Sequence, residues 1–406
     1  MRSKEHVLEG AQERKTALGV RGLLALLLWA FGIFGLWSGY AVVLLADLSG
    51  ALDLSPGPLS VALVIGTVAS LAAMPALGWT ADGLGRKVFL VAVTCFWGAG
   101  ITGLALAREF WTLVLVLLFL SPSAGLYDVG INAAAVDLER LSRRRFMSFL
   151  HATYSGGALV GALVAGALLS AGLGYRLVYL SLLVPLGMLV LAFAAVRFPS
   201  PDVTSRDTTG GMTPGSAREG RWELYRSAPL LLIAAIAALG LMAEGLMETW
   251  SGIYLRDWLG LPALLGGSGV AGFFGAMMLG RLATGWVVRR LGNRQTLLAG
   301  GLVMAAGMAL ALATTLPTLA VAGFLVVGLA ISGMAPLAQS VAGDLVPGRT
   351  GAAVSVVVTI SYGWFLLAGP AVGGLAELVG LRLALGVIAL AGLAVFVLSL
   401  SLRKTA

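Results

Sequence analysis

Long apolar runs broken by short polar turns restrict this chain to one kind of solvent. A helix crossing about 30 Å of hydrocarbon needs about 20 residues. Runs of that length lie at 21–46, 57–80, 87–107, 111–136, 147–172, 174–196, 227–254, 262–288, 295–315, 317–343, 350–376 and 380–402. Only 11% of the residues are charged and 59% are hydrophobic, whereas a soluble globular protein is about 25% charged. So few charges cannot coat the particle in water, and the solvent must be lipid. The expectation is an all-α membrane protein with twelve transmembrane helices.

One polar turn between two of these runs is written twice. Gly78-Trp79-Thr80-Ala81-Asp82-Gly83-Leu84-Gly85-Arg86-Lys87-Val88-Phe89-Leu90 returns as Gly285-Trp286-Val287-Val288-Arg289-Arg290-Leu291-Gly292-Asn293-Arg294-Gln295-Thr296-Leu297. Gly, Trp, Leu, Gly and Leu coincide when the second copy is moved back 207 positions. At a spacing of 208, Tyr154, Gly161, Gly166 and Gly172 meet Tyr362, Gly369, Gly374 and Gly380. Two nearly equal spacings point to duplication. The predicted organisation is a segment 1–20, a six-helix bundle 21–196, a linker 197–226, a second six-helix bundle 227–402 and a tail 403–406. The linker carries Pro199, Pro201, Gly210, Gly211, Pro214 and Gly215 with several Ser and Thr, a composition without a packed core. Parallel halves of this kind are a transporter architecture, with substrate held near the midplane between them.

Charge placement sets the expected orientation. Of 27 Lys and Arg, Arg108, Arg176, Arg256 and Arg382 fall in one set of loops and Arg281 inside a helix. All the others lie in the termini and the alternate loops. That asymmetry puts both termini in the cytoplasm and predicts a multi-pass protein of the plasma membrane. The net charge of +8 is scattered over short loops and forms no face for nucleic acid. The single cysteine, Cys95, lies in an apolar run and supports neither an internal disulfide nor a multi-cysteine metal site. No metal and no cofactor are expected. The amino end carries Glu5, Glu9 and Glu13 and its first apolar run is too long for a cleaved signal, so that run reads as a retained crossing.

Twelve crossings, a central cytoplasmic linker and the turn Asp82-Gly83-Leu84-Gly85-Arg86-Lys87 resemble the major facilitator superfamily. The resemblance implies two pseudo-symmetric six-helix bundles, and Asp82 and Arg86 as part of a cytoplasmic gate. In this chain Gly83 stands where that family usually has Arg, and the second copy has Arg289 for the acid and Asn293 for the base. Drug–proton antiporters of the superfamily carry Gly-Pro-x-x-Gly-Gly in the fifth helix. Here Gly369-Pro370-Ala371-Val372-Gly373-Gly374 falls in the eleventh. Asp128-Val129-Gly130-Ile131-Asn132 with His151-Ala152-Thr153-Tyr154, and Glu244-Gly245-Leu246-Met247-Glu248-Thr249-Trp250-Ser251, are similar to bacterial permeases near the fucose–proton symporters. That resemblance implies roles for Tyr154 and Trp250 at a substrate site.

An ionisable side chain at the centre of a membrane helix costs about 2.5–3.5 kcal/mol on insertion scales, so the few present are informative. Asp128 and Asn132, four residues apart, share a helix face and suit proton pickup or a hydrogen bond to a substrate hydroxyl. A structural acid bonded only to a neighbouring helix is the alternative. Glu244 and Glu248 lie one turn apart and repel when both are charged, which makes them a candidate coupling pair. Alternatively, Glu248 is wetted at the outer mouth while Glu244 pairs with a helix. His151 lies near Asn132 in depth and titrates near neutrality; it either accompanies a proton or bonds a loop carbonyl. Arg281 has three readings: it binds an anion, holds an acid such as Asp344, or snorkels to the interface. Trp37, Tyr40, Gln339 and Tyr362 are the amides, hydroxyls and aromatic platforms of a sugar-type pocket. Asp137 and Asp344 on the cytoplasmic rim are gate candidates with Asp82 and Arg86.

The function expected from these features is secondary active transport of a small polar, sugar-like solute with protons, by alternating access, in a monomer. Proton-driven efflux of drugs or amphipathic compounds is the alternative. No phosphate-binding loop is present to couple ATP, and no nucleophile–base or metal constellation supports an enzyme.

Overall fold

A computed structural model describes residues 2–77, 84–142, 146–196, 198, 223–346 and 350–402. The described chain is helical, with twelve helices long and apolar enough to span a membrane. In order these are α1 (Arg2–Ala51), α2 (Pro56–Leu77), α3 (Arg86–Leu106), α4 (Phe110–Ser142), α5 (Met147–Ser170) and α6 (Tyr175–Ala195). The second set is α7 (Ala228–Trp258), α8 (Ala263–Leu291), α9 (Asn293–Ala313), α10 (Pro317–Leu345), α11 (Thr350–Val379) and α12 (Leu381–Leu400). Alternating direction brings the start of α1, the end of α6 and the end of α12 to one face, called here the terminal face. The α1–α2, α5–α6, α7–α8 and α11–α12 turns lie on the opposite, far face.

The duplication is written in the backbone as well as in the side chains. Among the described residues, positive φ occurs at Asp53, Gly85, Gly172, Gly260, Gly292 and Gly380. These pair as Asp53 with Gly260, Gly85 with Gly292, and Gly172 with Gly380, at spacings of 207, 207 and 208. Gly85 and Gly292 both precede a helix with φ 78°, and their ψ values are 149° and 162°. Glycine reaches this region without the steric cost other residues bear, so the turn that opens α3 is rebuilt at α9.

Packing repeats in the same way. Within the first bundle α1 lies on α5, α2 on α4 and α3 on α6; within the second, α7 lies on α11, α8 on α10 and α9 on α12. Between bundles, α5 meets α8 and α2 meets α11, a pair of contacts that exchange under the duplication, while α1 meets α7. Lipid gives no hydrophobic push between helices, so close association relies on small faces. A Cβ on Gly35 or Gly39 of α1 would land on the carbonyl of Tyr154 or Ala158, and one on Gly157 of α5 on the carbonyl of Gly32. At this seam the two backbones touch, which fixes the depth at which α5 presents its polar residues.

Candidate functional site

The polar residues of α5 follow from how that helix begins. Glu139 at the end of α4 accepts the backbone N–H groups of Phe146 and Met147 at 2.6 and 2.8 Å. A carboxylate at a helix amino end satisfies otherwise orphaned donors and meets the favourable end of the dipole. One to two turns further on, His151, Tyr154 and Ser155 reach the boundary between the bundles.

Arg281 of α8 is the centre of the site. One guanidinium nitrogen donates to Glu244 Oε1 of α7 at 2.7 Å. The other donates across the boundary to Ser155 Oγ at 2.5 Å and to the His151 carbonyl at 3.4 Å. The Arg281 and Glu244 side chains are 14% and 12% exposed, so the pair is largely withdrawn from solvent. A second bond crosses at the same level: the Tyr154 hydroxyl donates to Glu248 Oε1 at 3.0 Å, and Tyr154 also bonds Ser38 of α1. In α4, Asn132 Nδ2 donates to the Asp128 carboxylate at 2.8 Å and to its carbonyl at 2.9 Å. Asp128 acts electrostatically on Glu248. Tyr362 of α11 lies within electrostatic reach of Asp128, Glu244, Glu248 and Arg281. Six helices, three from each bundle, thus surround three carboxyl groups and one guanidinium. The His151 ring meets Phe31 edge-on, with centroids 5.4 Å apart.

These contacts correct part of the sequence reading. Arg281 neither snorkels nor reaches Asp344; it turns into the protein and takes Glu244, because α7 lies beside α8 and presents an acid at matching depth. Glu244 and Glu248 point to different partners rather than facing each other alone. Trp37 turns into its own bundle against Trp97 and Tyr179, at 6.0 and 6.1 Å, and Tyr40 is buried with its hydroxyl 3.4 Å from Ser181 Oγ of α6. Trp250 is fully buried and donates to the Gly369 carbonyl at 2.8 Å, tying α7 to α11. Gln339 is half-buried on α10, and Asp344 at its end is exposed. Asp137 pairs with Arg86 at 2.9 Å; Asp82 lies outside the described residues.

The far face is closed by contacts that sequence reading misses. Arg256, at the widened last turn of α7, pairs with Asp47 of α1 and donates to the Val43 carbonyl at 3.2 Å. Glu377 near the end of α11 accepts the Gly57 N–H at the start of α2 at 2.5 Å. A Cβ on Gly252 would strike the Val42 carbonyl, and one on Gly373 would strike Ser60. Arg256 reads in sequence as a loop charge, and nothing in the pattern shows α7 continuing as a π-turn through Tyr254–Trp258. Among the described residues, no comparable packing joins α4 to α10 or α11. The polar cluster is therefore closed off on the far face.

A family model described as the Major Facilitator Superfamily matches residues 26–290 and 270–406. An uncharacterized MFS-type transporter of Yersinia pestis is 30% identical over 364 residues, 89% of this chain and 91% of that protein. Among solved structures, the nucleoside transporter NupG, crystallised in a mutant form, superposes with a TM-score of 0.78 at 14% identity, covering 94% of this chain and all of that one. A bacterial homologue of the human lysosomal transporter Spinster, inward-facing and unoccupied, gives 0.71 at 15% identity, covering 94% and 95%. These two likenesses show the fold.

Proposed function

This chain belongs to the major facilitator superfamily, and from that premise we propose that it carries a small, uncharged, hydroxyl-bearing solute of sugar-like chemistry together with protons. It is a multi-pass membrane transporter, not an enzyme. The observation that carries the proposal is the pair of polar links across the bundle boundary, Arg281 to Ser155 and Tyr154 to Glu248. Both must break or lengthen when the bundles rock, so whatever changes the charge of their acids changes the equilibrium between the two openings. A proton arriving on Glu248 or Asp128 removes a negative charge from a cluster of three carboxyl groups facing one guanidinium. A substrate hydroxyl then takes up the freed hydrogen-bonding capacity.

Charge decides the solute class. With Arg281 already paired to Glu244, the cleft presents surplus carboxyl groups, which repel an anion and accept hydrogen bonds from hydroxyls. The similarity of the Asp128–Asn132 and Glu244–Ser251 stretches to permeases near the fucose–proton symporters supports the same class. The asymmetry of Lys and Arg supports a cytoplasmic terminal face in the plasma membrane, so the closed far face is the outer one. Reconstituted vesicles given labelled sugars, polyols and nucleosides under an imposed pH gradient test this reading. Saturable accumulation that a protonophore abolishes is expected. Movement of amphipathic compounds alone, or solute flux indifferent to the gradient, would replace it with the efflux reading or with facilitated diffusion.

A further inference from the structure

A groove of about 460 Å³ runs down the outside of the seam between the bundles, on the side where α1, α5 and α8 meet. Leu28 and Gly32 of α1, Phe149 and Gly156 of α5, and Met278 and Leu282 of α8 line it, and its lining holds no charged side chain. It exists because the α1–α5 contact is made of glycine backbone: Gly32 and Gly157 bring the helices together and leave no side chains to fill the surface above them. Its walls come from both bundles.

The end of this groove nearer the terminal face is basic. Arg21 precedes Leu28 by seven residues and Arg289 follows Leu282 by seven, a spacing that returns to the same helix face about 10 Å along the axis. Both arginines are exposed. Arg289 folds back along its own helix: its Nη1 would lie 3.6 Å from a Cβ on Gly285, which is three residues beyond Leu282. The neighbouring Arg290 lies over the Trp286 ring at 5.4 Å, the amphipathic pairing found where hydrocarbon gives way to headgroups. An apolar slot at acyl-chain depth with two guanidinium groups at headgroup depth has the charge and length pattern of one ligand.

We propose that this groove binds an anionic phospholipid, one acyl chain lying in the slot and the phosphate held between Arg21 and Arg289. The lipid would touch both bundles at once, and its site is separate from the polar cleft. The test is native mass spectrometry of the purified transporter with phosphatidylglycerol or phosphatidylcholine added. Wild type is expected to retain phosphatidylglycerol in preference to phosphatidylcholine. Arg21→Ala/Arg289→Ala should weaken phosphatidylglycerol about thirtyfold, the effect of losing two basic contacts at a membrane surface, while Arg21→Lys/Arg289→Lys retains most of it. Gly32→Leu, whose Cβ has ordinary clearance from Thr153, should block the slot and lower retention of both lipids with the arginines intact. A melting curve for each variant establishes that it is folded. Equal retention of the two lipids by wild type would overturn the proposal. Undiminished phosphatidylglycerol binding by either the double alanine variant or Gly32→Leu would overturn it too.

Discussion

Removing Arg281 should expose how much the polar centre depends on compensation. In Arg281→Met the Glu244 carboxylate loses its 2.7 Å partner, and Ser155 and the His151 carbonyl lose theirs. Breaking a buried pair by deleting one member costs about 3–5 kcal/mol, chiefly because the other charge is left uncompensated. With 14% and 12% of the two side chains exposed, solvent screening is slight, and about 3 kcal/mol is expected at neutral pH. Arg281→Met/Glu244→Gln removes both charges and should cost less than the sum of the single changes by at least about 1.5 kcal/mol, within the range for contacting residues. Equilibrium unfolding in mixed micelles measures all three variants. Single-variant costs that add to within about 0.5 kcal/mol would be the behaviour of independent sites and would refute the coupling.

The α1–α5 seam gives a steric prediction: Gly35→Ala would drive a Cβ into the Tyr154 carbonyl and should cost about 1–3 kcal/mol through overpacking. Gly187→Ala, with open space around the new methyl group, should be near neutral, and the difference in melting temperature checks both. On the far face, Arg256→Ala releases Asp47, a partly exposed link worth about 1 kcal/mol. In a Cys95→Ala background with Ser60→Cys in the sealed α2–α11 contact, modification by a membrane-impermeant maleimide should then speed up about fivefold, as follows from a link of that size. An unchanged rate would show that the pair does not hold that face shut.

How much of this is legible in the sequence varies with the range of the interaction. Apolar run length locates all twelve helices, because crossing lipid demands length and leaves few alternatives. The duplication is visible in Gly78–Leu90 and reappears as paired positive-φ residues. Asp128 and Asn132 can be placed together because a four-residue step is fixed by the helix itself. Partners on different helices are not recoverable, since they depend on how each helix is rotated about its axis. That is why Asp344 is a plausible partner for Arg281 on paper while Glu244 is the actual one, and why Trp37 and Tyr40 line their own bundle. Ser155 gives no signal although it directly follows Tyr154, because a serine in a membrane helix more often bonds back to its own helix; this one does so too, to the His151 carbonyl at 3.3 Å.

The central claim, that the buried carboxyl groups couple solute movement to protons, is tested most directly by solute-driven proton uptake. Vesicles containing the purified protein are given the identified solute without a pre-set gradient, and the external pH is followed. Wild type should make the outside more alkaline as solute enters. Asp128→Asn and Glu248→Gln should abolish that signal while still exchanging labelled for unlabelled solute. Full proton uptake in both variants would contradict the account.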